Sequence, residues 1–290
     1  MSHRLKDLLV QPPERPFLAV LGYPIGHSLS PLIHTRALKV NQLEWDYLAV
    51  SVPETDRHLL PELMQVPAFK GANVTLPLKE LVPDIVDRCD DEVLRIGAAN
   101  TIYSDGPKWA AANTDVHGFL HPILSEKPNY EHQAALILGT GGAARAVCYA
   151  LAEKMNMAPL YLVSRNADNV DRSSYPASDR IKPVSYEELH KPLLESVITV
   201  NTTPVGMYPE TKASPLPEEF ITLLKDNVCY DLIYRPRETR FLQQAREAGS
   251  KVINGLPMFV HQAAKSFEIW TGKPFPVEEA QKLISDEIYA

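Results

Sequence analysis

The chain has 290 residues, 45% apolar and 22% charged, the balance of a soluble globular protein long enough for one large or two ordinary domains. A formal charge of -7 with no Lys/Arg cluster disfavours nonspecific nucleic-acid binding, and no apolar run approaches the roughly 18 to 20 residues that span a bilayer. Residues 1–15 lack the apolar stretch of a secretory signal, and Cys89, Cys148 and Cys229 are scattered without CxxC spacing, so a cytoplasmic protein with neither a disulfide framework nor a metal site is expected.

Phe17 to Leu21 is a short apolar run stopped by Gly22, a buried-strand pattern. Ser30-Pro31 reads as an N-cap followed by proline at the first helical position, and Leu32, Ile33, Ala37 and Leu38 recur behind it at helical spacing. Asp46 to Val52 is the next strand, and Glu54 to Met64 a helix open to interruption at Pro61. Gly71 to Thr75 is a third strand, and beyond Pro77 an amphipathic helix is predicted over Leu78 to Arg88. This alternation predicts a mostly parallel sheet. Thr101 to Tyr103 and Trp109 to Ala112 flank Ser104-Asp105-Gly106-Pro107, a hairpin signal.

A second alternating block has predicted strands at Ala134 to Leu138, Leu160 to Ser164, Ser196 to Asn201, Asn227 to Leu232 and Lys251 to Ile253, with helices between them. One helix opens with a capping box at Ser185 and Glu188, and another runs from Thr239 to Ala248 and closes at Gly249. The C-terminal stretches Pro257 to Trp270 and Val277 to Tyr289 are helical, separated at Gly272. The domain boundary is expected within Asp115 to Glu126, where a helix can bridge two sheets. The expected fold is thus α/β in two domains: an N-terminal mostly parallel sheet (1–115), joined by the C-terminal helices (256–290), and a Rossmann-type nucleotide-binding domain (116–255).

The chemistry lies in four strings. Gly139, Thr140, Gly141, Gly142, Ala143 and Ala144 follow a strand and open a helix over Ala143 to Lys154, the G-x-G-x-x-A form whose bare backbone donors suit a nucleotide diphosphate. The same string also reads as a tight turn without a ligand. The next strand ends Ser164-Arg165-Asn166, with no carboxylate to repel a 2'-phosphate and with Arg165 able to pair with one, which favours NADP over NAD. Arg165 is equally open to a solvated surface role. Ahead of the loop, Gly26-His27-Ser28-Leu29-Ser30-Pro31, Asn73 to Lys79 and Asn113-Thr114-Asp115 bring hydroxyls, amides, one amine and one carboxylate, which suit a small polyhydroxylated acid. Ketone reduction needs hydride at carbon and a proton at oxygen, so Lys79 and Asp115 are the candidate acid–base pair. Taken singly, Lys79 reads as an exposed first-turn residue and Asp115 as a helix cap.

Read together, these strings resemble the shikimate dehydrogenase family. The resemblance runs from about Phe17 to the end and includes Gly22 to Pro31, Lys70 to Thr75, Gly97 to Thr101, Asn113 to Gly118, Asn201 to Met207, Tyr230 to Tyr234, and Gly255 to Met258 before Gln262. It implies reduction of 3-dehydroshikimate to shikimate with NADPH, with Lys79 and Asp115 as the catalytic pair. It places Ser28, Ser30, Asn73, Thr75, Asn100, Tyr234 and Gln262 around the substrate. Ser28 and Ser30 near a helix N-terminus favour a carboxylate; Tyr234 and Gln262 read equally as a core ring and an interface amide. On the cofactor side it points to Gly139, Thr140, Gly141, Gly142, Ala143, Ser164, Arg165, Asn166, Asn169, Leu232, Gly255 and Met258, and more weakly to Asp91, which also reads as a first-turn helix acid.

Three features depart from the family pattern. Ser164-Arg165-Asn166 leads to Asn169 where NADP-using members often have Asn-Arg-Thr and a second arginine, so one charge clamp is missing. Thr35 and Pro257 also differ. A quinate/shikimate dehydrogenase using NAD or NADP, and a non-catalytic sensor of either acid, are the competing readings. The expected partners are small molecules only, for a monomer or homodimer that binds neither nucleic acid nor membrane.

Overall fold

The computed structural model describes residues 2–125 and 129–289; Met1, Glu126 and Ala290, which bound some predicted segments, lie outside them. The chain divides into two compact units, one running through Thr114 and resuming at Val260–Ile288, the other Asp115–Phe259 with Tyr289.

The first unit contains β1 (His3–Arg4), α1 (Leu5–Val10), β2 (Phe17–Gly22), α2 (Ser30–Val40), β3 (Asp46–Ser51), α3 (Leu60–Leu63), β4 (Phe69–Val74), α4 (Val82–Ile85), β5 (Arg88–Cys89), α5 (Asp91–Ile96), β6 (Thr101–Asp105) and β7 (Lys108–Ala112). They form a seven-stranded sheet in the order β1-β3-β2-β4-β6-β7-β5. The β1–β3, β3–β2, β2–β4 and β5–β7 pairs are parallel, and the β6–β7 hairpin, turning at Gly106 (φ +65°), is antiparallel. Every residue of β2 is buried. Because strand side chains alternate, Phe17, Ala19 and Leu21 enter one core with Leu60, Leu63 and Val82, while Leu18 and Val20 enter another with Leu38, Tyr47 and Phe267.

Two expectations are corrected here, and the interruption allowed for near Pro61 is found. The helix predicted over Leu78 to Arg88 shrinks to α4, with Pro83 in its first turn and Val86 already extended. Sheet pairing overrides the amphipathic pattern, since Asp87 N–H donates to Trp109 O (2.9 Å) and Asp90 N–H to Ala111 O (3.3 Å). The predicted helix over Glu54 to Met64 divides into a 3-10 turn, Glu54–Leu59, and α3, with Pro61 in the first turn of the latter. At α2 the N-cap is Leu29, not Ser30; Ser30 is already helical, and its N–H donates to Ser28 Oγ at 3.3 Å.

Linking the units in sequence is α6 (Thr114–Leu124). The second unit follows with β8 (Ala134–Leu138), α7 (Gly142–Tyr149), β9 (Leu160–Val163), β10 (Ile181–Val184), α8 (His190–Glu195), β11 (Ser196–Asn201), β12 (Val228–Asp231), α9 (Arg240–Glu247) and β13 (Lys251–Ile253). After it come α10 (Gly255–Thr271), which passes into the first unit at Val260, and α11 (Val277–Tyr289). All pairs in the order β10-β9-β8-β11-β12-β13 are parallel. The chain reverses direction across the sheet between β8 and β11, the switch point where open parallel sheets bind ligands beyond their C-terminal ends.

The sequence reading missed β10, because Ile181-Lys182-Pro183-Val184 lacks a strand's apolar run and carries a proline; as an edge strand it tolerates the missing N–H. No α-helix joins β9 to β10; two 3-10 turns, Ala167–Asn169 and Arg172–Ser174, take its place. The helix expected over Ala143 to Lys154 starts at Gly142 and loosens into a π-helical turn from Ala150. Among the described residues, no helix is long and apolar enough to cross a membrane.

Candidate active site

In the first unit, β4 carries Asn73 to the C-terminal end of the sheet, and the chain turns through Thr75 and Pro77 to Lys79. Thr75 N–H donates to Leu21 O and Tyr23 N–H to Leu76 O, both at 2.9 Å, so this turn is laced to the end of β2 and the segment leading to Ser28 and Ser30. Lys79 is half-buried; its carbonyl accepts from Ala99 N–H at 2.9 Å, and Ala98 O accepts from the Asn113 amide at 2.9 Å. These two bonds tie the lysine backbone through the Ala98–Ala99 peptide to the Asn113-Thr114 string.

Between them lies a buried network of uncharged groups. Asn73 Oδ1 accepts from Tyr47 Oη at 2.7 Å, and Asn73 Nδ2 donates to Ser266 Oγ at 2.9 Å. The Ser266 hydroxyl lies 2.8 Å from Thr101 Oγ1 and 3.0 Å from Thr114 Oγ1. Asn100 Oδ1 accepts the Thr114 N–H at 2.7 Å, which fixes the amide so that Nδ2 faces Gln262 Oε1 at 3.4 Å. Asn73, Asn100 and Gln262, three sequence candidates, are thus brought together, whereas Tyr47, Thr101, Thr114 and Ser266 were not among the candidates. Ser266 was findable as the residue one helical turn beyond Gln262, and Thr114 as the middle of Asn113-Thr114-Asp115. Beside Tyr47, His34 is wholly buried, its ring stacked on the tyrosine at 4.4 Å. Neither imidazole nitrogen has a hydrogen-bond partner among the described residues. Burial pushes its pKa down to about 3, an effect the nearby Asn73 side chain only partly offsets. Asp91 is exposed in the first turn of α5, whose cap is Asp90, accepting from Val93 N–H at 2.7 Å.

The second unit opens with Asp115, buried in the first turn of α6. At the switch point β8 ends in Gly139 (φ +107°), where a Cβ would lie 2.8 Å from Thr202 Oγ1 and from Thr203 Cγ2, so both conformation and space require glycine. Gly141 has open space where a Cβ would be, and Thr140 and Gly141 are exposed ahead of α7. That presents backbone N–H groups at a helix start to an incoming diphosphate. Ser164 is half-buried after β9, and Arg165, Asn166 and Asn169 are exposed, with no carboxylate at the strand end. The set fits a dinucleotide that carries a 2'-phosphate.

Farther along the same edge, Asp231 is wholly buried and accepts from Asn201 Nδ2 (3.0 Å), Ile233 N–H (3.0 Å) and Thr239 Oγ1 (2.6 Å). Burial raises its pKa to about 6 against the pull of those donors. Leu232 N–H donates to Asn201 O at 3.1 Å and Gly255 N–H to Ile233 O at 3.0 Å; a Cβ on Gly255 would overlap Leu232 O. Met258 is half-buried on α10. Tyr234 belongs to this unit, outside the Asn73–Gln262 network: its ring centroid is 4.9 Å from that of Phe259, and its carbonyl accepts from the Tyr289 hydroxyl.

The family model for the shikimate dehydrogenase substrate binding domain matches residues 20–102, and that for the shikimate 5'-dehydrogenase C-terminal domain matches residues 255–284. A shikimate dehydrogenase (NADP(+)) of Synechocystis sp. is 35% identical over 267 residues, covering 90% of this chain and 92% of that one. That of Oleidesulfovibrio alaskensis is 37% identical over 276 residues, covering 94% and 96%. Among solved structures, shikimate 5-dehydrogenase from Thermus thermophilus in complex with NADP(H) and shikimate superposes with a TM-score of 0.80 at 34% identity, over 93% of this chain and 99% of that one. With similarity of this extent along nearly the whole sequence, the chain belongs to the shikimate dehydrogenase family.

Proposed function

We propose that this chain is an NADP-dependent shikimate dehydrogenase that reduces 3-dehydroshikimate to shikimate, a step of chorismate and aromatic amino acid biosynthesis. The observation that carries this reading is the uncharged amide and hydroxyl network of Asn73, Asn100 and Gln262, which spans the substrate-domain and C-terminal matches. Amides and hydroxyls with locked orientations suit the hydroxyls of a ring, and Ser28, Ser30 and Thr75, grouped with the start of α2, suit its carboxylate and remaining hydroxyls. Tyr234 completes the proposed substrate set from the second unit.

NADPH, when bound, supplies the hydride. Gly139 to Ala143 are proposed to hold its diphosphate; Ser164, Arg165, Asn166 and Asn169 its 2'-phosphate; Leu232, Gly255, Met258 and Asp91 its nicotinamide half. Lys79 gives a proton to the oxygen that becomes the hydroxyl and takes it back in the reverse direction, with Asp115 holding and tuning the amine. In this reading residues 1–115 and 256–290 form the catalytic, substrate-binding domain and 116–255 the NADP-binding domain. The three free cysteines support a cytoplasmic enzyme. It acts as a monomer or homodimer, which sedimentation of the purified chain distinguishes.

The test is loss of NADPH absorbance with 3-dehydroshikimate, run in parallel with NADH, and in reverse with shikimate and quinate. Turnover with 3-dehydroshikimate and a preference for NADPH are expected. Shikimate binding without any oxidation or reduction of cofactor would refute the reading.

A further inference from the structure

The segment from Ser164 to Tyr175 is held almost entirely by its own turns. Asn166 N–H donates to Ser164 Oγ (3.1 Å), Val170 N–H to Ala167 O (3.1 Å), Ser173 N–H to Asp171 Oδ1 (3.0 Å) and Tyr175 N–H to Arg172 O (3.0 Å). Such a string of local bonds sets its internal shape but not its position. Bonds at both ends fix the position. At one end Ser164 N–H donates to Val184 O on β10 at 3.0 Å. At the other, the Tyr175 hydroxyl donates to the carbonyl of Thr140, inside the glycine turn, at 2.6 Å. Tyr175 is 7% exposed, and the guanidinium of Arg145, one turn into α7, lies 6.0 Å from its ring centroid.

We infer that Tyr175 is a positioning residue that pins the diphosphate-binding turn at Thr140 to the segment carrying Arg165, and so sets the preference for NADPH over NADH. The inference rests on the cofactor assignment proposed above. An ordinary α-helix after β9 would hold such a segment against the sheet by packing; here that helix is replaced by two 3-10 turns, and the phenol of Tyr175 joins segment to turn. NADPH touches both regions at once, through its diphosphate and its 2'-phosphate, whereas NADH offers the segment only a 2'-hydroxyl. A loose segment therefore penalises NADPH more.

Tyr175→Phe keeps the ring and its place beside Arg145 and deletes only the hydroxyl. On the full-length chain, calorimetric titration should show the NADPH Kd rising about three- to tenfold, the size of one lost hydrogen bond, with a smaller rise for NADH. At saturating NADPH, kcat and the KM for shikimate should stay at wild-type values. In an Arg165→Ala background, Tyr175→Phe should no longer alter the NADPH-to-NADH ratio of Kd values. Equal weakening of both cofactors, or an undiminished effect without Arg165, would overturn the inference. If Tyr175→Phe gives these Kd shifts while the wild-type chain turns nothing over, the proposed activity fails and the pin stands.

Discussion

The two units bury polar groups in opposite ways. In the first, side chains bond to side chains, Asn73 to Ser266 to Thr101 and Thr114, and the buried base, His34, is enclosed by Tyr47, Phe267, Trp270 and Phe275, neither nitrogen having a hydrogen-bond partner among the described residues. In the second, a buried acid, Asp231, gathers donors from three separate places on the chain. The contrast fits what each unit is proposed to bind. Hydroxyls of a rigid ring are read by side chains whose rotamers are locked, which a dense neutral network does. Phosphates are read by backbone N–H groups on loops, and loops need an anchor beneath them. A carboxylate, acceptor-only and able to take several donors, is suited to that task.

The contrast has an energetic signature, largest at His34. Its pKa is near 6.5 unfolded and about 3 folded, so the folded state refuses a proton that the unfolded state accepts. Stability of the first unit is therefore full above about pH 6.5 and falls as pH drops toward 3, by up to about 5 kcal/mol at 1.36 kcal/mol per pH unit. All three tryptophans, Trp45, Trp109 and Trp270, lie in that unit, so tryptophan fluorescence during urea unfolding at a series of pH values reports it selectively. His34→Leu should be less stable at neutral pH, from lost stacking, yet lack the acid slope. An acid slope that persists in His34→Leu would assign it to some other group.

Next in size is Lys79→Ala, expected to lower kcat about a hundred- to ten-thousandfold while the KM for shikimate and the Kd for NADPH change little. This variant removes the proposed chemistry of the first unit and leaves the second intact. A matching loss of cofactor affinity would show that the two are not separable.

Much of this was legible beforehand, unevenly. The β8-turn-α7 unit was readable because an apolar run, three glycines and a helical pattern agree, and Gly139 has no substitute at φ +107° beside Thr202. Asn73, Asn100 and Gln262 were named from the resemblance, but their partners Tyr47 and Ser266 come from sequence positions 26 and 193 residues away from Asn73, and no local pattern announces such a meeting. The helix over Leu78 to Arg88 failed because its amphipathic spacing is equally met by a short turn followed by an edge strand, and Pro83 with the partners on β7 decides between them. Strand β10 was hidden by the proline that marks it as an edge. Tyr175 gave no signal, since its role is one bond to a backbone carbonyl 35 positions earlier.

Asp231 supplies the smallest of the three effects and the sharpest contrast. Its pKa is about 3.8 unfolded and about 6 folded, the reverse of His34, so here the folded state takes up the proton first. The stability contributed by this group is full below about pH 4 and is lost as pH rises through about 6, a span of about 3 kcal/mol. Asp231→Asn keeps the shape and an Oδ1 acceptor for Asn201 and Ile233. The new Nδ2 can donate to the Thr239 hydroxyl, which also accepts from Leu242 N–H and has a second lone pair to spare. The variant should therefore match wild type near pH 4 and exceed it near pH 7, in hydrogen-exchange protection of β11 and β12, while the tryptophan signal from the first unit stays where it was. Protection that falls at pH 7 but not at pH 4 would mean that the charge itself, rather than the acceptor geometry, holds the chain after β11 and after β12 together, and the anchoring argued for the second unit would then be electrostatic.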